Sequence, residues 1–243
     1  MKHRDLTVID LPGGTKVLIA CDALGGIGPK EHDAVPAEAH VVGRFGARVA
    51  LMEVIAAGGR PVALVDNCCV EPDPTGAEIL RGIRDEAALA GLGSDQITGS
   101  FEKNVPTCQT GLGITALAIS ERELPRALPG DLIVAVGLPK VGPEVALSDG
   151  EIADLPLAIG LAQNPDVHDL LPVGSRGIAA EAAEIAATAG LPIELLPPEA
   201  GWDLAKSAGP ATCCLAAIAP AVLPALALTL DRPWAVVARI SVE

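Results

Sequence analysis

The chain has 243 residues, 17 basic against 31 acidic side chains and a formal charge of −14, which suits one large or two small domains and argues against nucleic-acid or anionic-membrane partners. Half of the residues are apolar, yet there are only two Phe, two Trp and no Tyr. The core must therefore be built of Ala, Val, Leu and Ile, and the composition argues against aromatic stacking platforms for single-stranded nucleic acid.

Residues 6–11 read as a first strand, closed by Pro12-Gly13-Gly14. Residues 16–22 read as a second, short and partly β-branched, that stops at Asp22. Gly25, Gly26, Gly28, Pro29 and Lys30 follow in a loop to about residue 35. Glycines after a strand let backbone amides approach an anion closely. A carboxylate, exposed amides and a lysine can together hold a phosphate and its magnesium ion. A tight surface turn capped by charged residues accounts for the same pattern. Residues 36–58 read as one long helix, with Pro36 in its first turn, Gly58-Gly59 at its stop and Asp33 in its cap region. Val41, Val42, Phe45, Val49, Met52, Val54 and Ile55 form an apolar stripe that Arg44, Arg48 and Glu53 interrupt.

Residues 61–70 form a strand that stays apolar until Asp66-Asn67, where a cap or turn is expected. Residues 75–90 form an amphipathic helix, and residues 97–110 a polar loop before a further strand over 112–119. The charged, proline-containing stretch 121–130 marks a domain boundary. Beyond it come a strand over 131–137, broken helix over 145–161, a helix over 176–190, a strand over 192–196, a polar loop over 203–210 and a last strand over 234–242. Strands alternate with helices, so the class is α/β or α+β.

The six cysteines form no C-x-x-C pair and read as reduced, mostly buried thiols. The opening Met1-Lys2-His3-Arg4-Asp5 lacks an apolar signal core, and the most apolar stretch is broken by Pro220 and Pro224. A cytoplasmic protein without a membrane span is expected. His32 and His168 read as surface residues. The nucleotide motifs G-x-x-x-x-G-K-[ST] and G-x-G-x-x-G and the hydrolase elbow G-x-S-x-G are absent.

Several segments in succession resemble the superfamily of aminoimidazole-ribonucleotide synthetase, thiamine-monophosphate kinase and selenophosphate synthetase. Cys21-Asp22 with Gly26-Ile27-Gly28-Pro29-Lys30 is similar to its strand-ending T-D and G-V-G-T-K loop. Leu51-Met52-Glu53-Val54-Ile55-Ala56-Ala57-Gly58-Gly59-Arg60-Pro61 resembles its acid-bearing helix and Gly-Ala turn, with Glu53 in place of the usual Asp. Thr98-Gly99-Ser100-Phe101-Glu102 sits where the family has a G-G-[DE]-T loop, the acid displaced by one position. Pro129-Gly130-Asp131 through Pro139 and Val173-Gly174-Ser175-Arg176-Gly177-Ile178 resemble segments of the second domain. Within the superfamily, the short length and the G-S-x-E-x-N-x-P-T-C-Q-T pattern look most like α-ribazole kinase.

The resemblance implies an α+β, two-layer architecture: an N-terminal β-sheet or half-barrel domain over residues 1–122, for ATP binding and dimerisation, and a reduced C-terminal α/β domain over 123–243. It implies magnesium and ATP as cofactors, with Asp22, Glu53 and Glu102 as metal ligands. Gly25, Gly26, Gly28 and Lys30 become phosphate contacts, and Asn104, Thr107 and Gln109 contacts to substrate or nucleotide. No catalytic base is assigned. The implied activity is phosphorylation of a small molecule such as α-ribazole in cobalamin lower-ligand salvage, by a homodimer. A ring-closing synthetase, a thiamine-phosphate-type kinase and a nucleotide-binding protein without catalysis remain the alternatives. On the residues alone, Asp22 could equally cap a turn, Glu53 lie on a solvated helix face and Lys30 be a plain surface lysine.

Overall fold

The structure, a computed structural model, describes residues 2–197 and 201–242. Its internal contacts divide the chain into two compact units, one of Met1–Ile55 with Gly59–Arg122, the other of Ala56–Gly58 with Glu123–Glu243.

The first unit contains β1 (Lys2–His3), β2 (Leu6–Asp10), β3 (Lys16–Gly25), β4 (Ile27–Gly28), β5 (Val35–Pro36), α1 (Ala39–Ala56), β6 (Arg60–Cys68), α2 (Ala77–Leu89), β7 (Ile97–Phe101) and β8 (Gly111–Ser120). Six strands make one sheet in the order β1-β2-β3-β8-β6-β7. All neighbours are antiparallel except β6 and β7. Alternation along the strands turns Leu18, Leu64, Ile114, Ala116 and Ala118 inward, where they are fully buried.

Helix α1 covers that inner face, and α2 crosses α1 where two glycines meet backbone. A Cβ on Gly43 would lie 2.0 Å from the Ile79 carbonyl oxygen, and one on Gly82 would lie 2.1 Å from the His40 carbonyl oxygen. Beside this crossing the fully buried Glu86 accepts from Arg44 Nε at 2.5 Å and Arg48 Nε at 2.8 Å. The arginines that interrupt the apolar stripe of α1 are thus partners for a buried carboxylate, which requires such pairing.

The second unit contains β9 (Leu132–Val136), α3 (Leu155–Gln163), β10 (Val167–Pro172), α4 (Gly177–Ala189), β11 (Ile193–Leu195), β12 (Cys214–Ile218), α5 (Leu223–Ala227) and β13 (Trp234–Ile240). Its five strands run antiparallel in the order β10-β12-β9-β13-β11. Strands β9 and β12 are buried at every position, which explains their unbroken apolar runs. Ile178, Ala182 and Ile185 of α4 join Ile133, Leu215 and Val237 in one core cluster.

Several expectations change. The second strand continues past Asp22 to Gly25, because β8 continues to pair with it as far as Gly111. The first long helix begins at Ala39, since Pro36 is held in a parallel bridge to Gly28. Residues 97–101 form an edge strand, not loop, and residues 145–161 are helical only from Leu155. Strand β10 falls in a stretch assigned to no element. Three of the six free thiols, Cys21, Cys69 and Cys108, are exposed. His168 is no free surface residue: its Nδ1 lies 2.9 Å from Asp131 Oδ2. Among the described residues no helix is long and apolar enough to cross a membrane.

Candidate functional site

Three adjacent strands put two carboxylates in one row. The register sets Asp22 of β3 opposite Ile114 of β8, Ile114 opposite Asp66 of β6, and Asp66 opposite Gly99 of β7. Asp22 and Asp66 both belong to the inner-facing set of their strands, so they flank Ile114 on one face, with backbones roughly 10 Å apart. Asp66 is 2 % exposed, and its Oδ1 accepts from Cys68 Sγ at 3.4 Å. Any Cβ on Gly99 would lie 2.2 Å from Asp66 Cγ, so only glycine leaves space for that carboxyl. Burial pushes the carboxyls of both Asp22 and Asp66 above the ordinary aspartate value, the Ala23 amide offsetting part of it at Asp22 and the Cys68 thiol part of it at Asp66. Burial, reinforced by the Asp66 charge, also pushes the Cys68 thiol up, so it remains a donor. Desolvated carboxylates of this kind are strong candidates for a cation site.

Helix α1 carries the third acid across this row. Gly46 lies against Leu112, Leu24 and Ile114, whereas Gly59, just beyond the helix, lies against Ala118 and Leu18. The helix therefore runs back along β3. Glu53 follows Gly46 by two helical turns and shares its sheet-side face. Its backbone lies over the stretch of β3 between Leu24 and Leu18 that holds Asp22.

Glu102 and Asn104 are placed elsewhere. Glu102 Oε1 accepts from the amides of Asn104 at 2.6 Å and Val105 at 3.0 Å, and these bonds, led by Asn104, hold its carboxyl below the ordinary value. Glu102 also lies three residues beyond Gly99, about 10 Å further along the strand direction. The described residues contain no group of three or more His, Cys, Asp or Glu side chains arranged to hold a metal ion alone.

The glycine loop is stitched to residues 107–110. The Gly26 amide donates to the Thr110 carbonyl at 2.9 Å, the His32 amide to Cys108 at 3.1 Å, and Gln109 Nε2 to the His32 carbonyl at 2.6 Å. Asp33 accepts from the Lys30 amide at 2.8 Å and from the Thr110 amide and hydroxyl, both at 2.7 Å. Burial alone would raise the Asp33 carboxyl, but these donors outweigh it and lower it. Asp33 is therefore no helix cap; it is the pin of the loop. At Gly28 a Cβ would lie 2.3 Å from Thr110 Oγ1, so glycine is required there by close approach. Lys30 Nζ donates to Glu71 Oε2 at 2.5 Å and to the Thr107 carbonyl at 3.1 Å. Thr107 Oγ1 is buried without a hydrogen-bond partner.

The structure thus brings Asp22 and Asp66 into one row under α1, and gathers Gly26, Gly28, Lys30, Thr107 and Gln109 in one loop cluster. Gly25 ends β3 opposite Gly111, next to that cluster. Asp66, where the sequence predicts a cap or turn, lies inside β6, and the register across β6, β8 and β3 puts it in the row. These oxygen donors fit magnesium, which takes few protein carboxylates and completes its shell with phosphate oxygens and water. The glycine cradle and the partnerless Thr107 hydroxyl fit a phosphate-bearing ligand.

Residues 3–119 match the family model described as AIR synthase related protein, N-terminal domain. No curated protein matches the chain. Among solved structures, thiamine monophosphate kinase from Aquifex aeolicus is 17% identical, with a TM-score of 0.65 over 98% of this chain and 89% of that one. AaThiL complexed with AMPPCP and TMP is also 17% identical, with a TM-score of 0.66 over 98% and 84%. PurL of T. maritima complexed with ATP is 16% identical with a TM-score of 0.64, and there 97% of this chain covers 42% of the longer one. The chain has the AIR synthase-like fold, and the match over its first unit together with these neighbours supports a place in the AIR synthase-like superfamily.

Proposed function

We propose that the protein is a magnesium- and ATP-dependent small-molecule kinase whose acceptor is α-ribazole. The observation that carries the reading is the row of Asp22 and Asp66 beneath Glu53, close in sequence to a glycine loop pinned by Asp33. The family match over the first unit and neighbours solved with ATP or AMPPCP support it. When bound, magnesium and ATP supply the γ-phosphoryl group and the cation that offsets its charge. Asp22, Glu53 and Asp66 would hold the cation jointly with phosphate oxygens and bridging water, since among the described residues the three acids do not form a metal site by themselves. Lys30 and the loop amides at Gly25 and Gly28 would meet phosphate, whereas the Gly26 amide first has to leave Thr110. Glu102, proposed as a ligand from its sequence position, would have to turn away from the Asn104 and Val105 amides. The acceptor class rests on the α-ribazole-kinase-like loop, whose Thr107 and Gln109 lie in the Lys30 cluster.

Incubation with ATP, magnesium and α-ribazole, followed by mass spectrometry, tests the reading. A product heavier by one phosphoryl group supports it. A dehydrated product points to a ring-closing synthetase, and no product with demonstrated nucleotide binding removes the acceptor. The Glu102 geometry favours one second reading, a nucleotide-binding protein without catalysis; nucleotide affinity indifferent to magnesium would select it. We also propose a homodimer formed through the outward face of the six-stranded sheet, where Val17, Ile19, Val65, Leu117 and Ile119 remain partly exposed.

A further inference from the structure

We propose that Glu71 is a positioning residue for Lys30, fixing the direction in which the ammonium of the glycine loop meets an anionic ligand. The inference rests on the reading of Lys30 as a phosphate contact and adds a residue to it. Glu71 follows β6 and precedes the turn at Pro72–Gly76. Its two carboxylate oxygens have different donors: Lys30 Nζ on Oε2 and Thr75 Oγ1 on Oε1, each at 2.5 Å. The carboxylate is therefore fixed by the turn before it fixes the lysine. Burial would raise the Glu71 carboxyl, but the bonds from Lys30 and Thr75 outweigh it and bring it to about 2. Glu71 stays ionised at any physiological pH.

An ammonium has three N–H donors. On Lys30 one is directed to Glu71 and one to the Thr107 carbonyl, which leaves one for a ligand. The same Thr107 carries the buried hydroxyl without a partner. The third donor is the one that Lys30 keeps for an anionic oxygen such as that of a phosphate. The side chain of Lys30 is only 14% exposed, so its reach is set by what holds it rather than by free rotation. Releasing Glu71 would let the ammonium swing and return its lost rotamer freedom as a binding cost.

The test titrates ADP with magnesium into the full chain carrying Glu71→Ala, Glu71→Gln or Lys30→Ala, by calorimetry. Hydrogen exchange of residues 25–37 is followed in the ligand-free proteins. The expected result is a Kd raised about tenfold by Glu71→Ala and by less than about threefold by Glu71→Gln, because the amide oxygen still accepts from Lys30. Amide protection in the loop should fall in Glu71→Ala and be kept in Glu71→Gln. Tighter binding by Glu71→Ala would overturn the inference and make Glu71 a competitor of the phosphate. Unchanged binding in Glu71→Ala alongside a loss in Lys30→Ala overturns it too, while the reading of Lys30 stands. No binding by the wild-type chain, or unchanged binding in Lys30→Ala, overturns both. Should Glu71→Ala not fold, Thr75→Val, which removes only the second donor to the carboxylate, must raise Kd in the same direction.

Discussion

Asp22 and Asp66 stand on either side of Ile114 in one row of the six-stranded sheet. Both carboxyls are raised by burial, so the folded chain bears a cost for keeping them ionised. A raised carboxyl contributes stability fully below the unfolded value near 3.8, and this contribution is lost as pH rises through the folded value. Asp22→Asn should therefore be more stable than wild type at pH 7, with the gap closing toward acid pH. The same substitution should abolish magnesium-dependent nucleotide binding. Thermal melts over a pH series and calorimetry with and without magnesium check the pair. A variant that loses stability and binding together would mean that Asp22 only shapes the strand.

Asp66 calls for the same experiment with a different control. Its carboxyl also receives the Cys68 thiol, and Cys68→Ala removes that donor without touching charge. If Asp66 holds a cation, Asp66→Asn should weaken magnesium-dependent binding at least tenfold, a loss of about 1.4 kcal/mol. Cys68→Ala should leave the affinity within about threefold and lower stability by about 1 kcal/mol. Equal effects from both would assign Asp66 to the core alone.

How far the sequence shows this site depends on the range of the interactions. Asp22, Lys30 and the glycines stand out because a strand, its loop and an acid are local features. Asp66 was read as a turn residue because its role comes from the pairing of β6 with β8 and of β8 with β3, which no local pattern encodes. Asp33 was read as a helix cap for a similar reason: its donors come from Lys30 nearby and from Thr110 far along the chain. Residues 97–101 read as loop because β7 is an edge strand with exposed Thr98, Gly99 and Ser100, paired among the described residues with β6 alone. The continuous apolar strand β9 and the helix α4 are legible, since burial on both faces and a glycine stop leave plain patterns. The helix onset at Ala39 was not, because Pro36 fits a helical first turn and a bridge to Gly28 equally well.

Gly28 is a sharp probe of the pinned loop. A methyl group there would meet Thr110 Oγ1 at 2.3 Å and Asp33 Oδ2 at 2.8 Å, so the Asp33 pin must shift. Gly28→Ala should cost about 1–3 kcal/mol and loosen residues 25–37, read as faster hydrogen exchange there. Asp33→Asn should reproduce the loosening with a smaller loss. If the loop remains protected in both, its order comes from the Lys30 and Gln109 bonds instead.

The Glu71 and Lys30 pair makes a prediction in acid. A carboxyl lowered to about 2 contributes stability above the unfolded value near 4.5, and that contribution disappears as pH falls from 4.5 toward 2. Its side chain is 37% exposed, so screening reduces the effect to about 1 kcal/mol. Wild type should lose this increment relative to Glu71→Gln across that window, in denaturant melts at pH 6, 4 and 3. A constant difference between the two would show that the bond, not the charge, carries the contribution.

The buried pair set at Glu86 separates fold from function. Glu86 is fully buried, and Arg44 and Arg48 both reach it, the latter also lying 4.6 Å over the Phe45 ring. Removing the carboxylate strands the buried Arg48 guanidinium, whose bonds go to Glu86, and leaves Arg44 with only the Asp85 charge nearby. Glu86→Ala should therefore cost about 3–5 kcal/mol, read as a lower urea midpoint. The acids under α1 belong to other strands and another helix face, so nucleotide affinity measured well below the melting temperature should be kept. A matching loss of affinity at that temperature would show that the α1–α2 contact also sets where Glu53 sits above Asp22, and would move Glu86 into the support of the site.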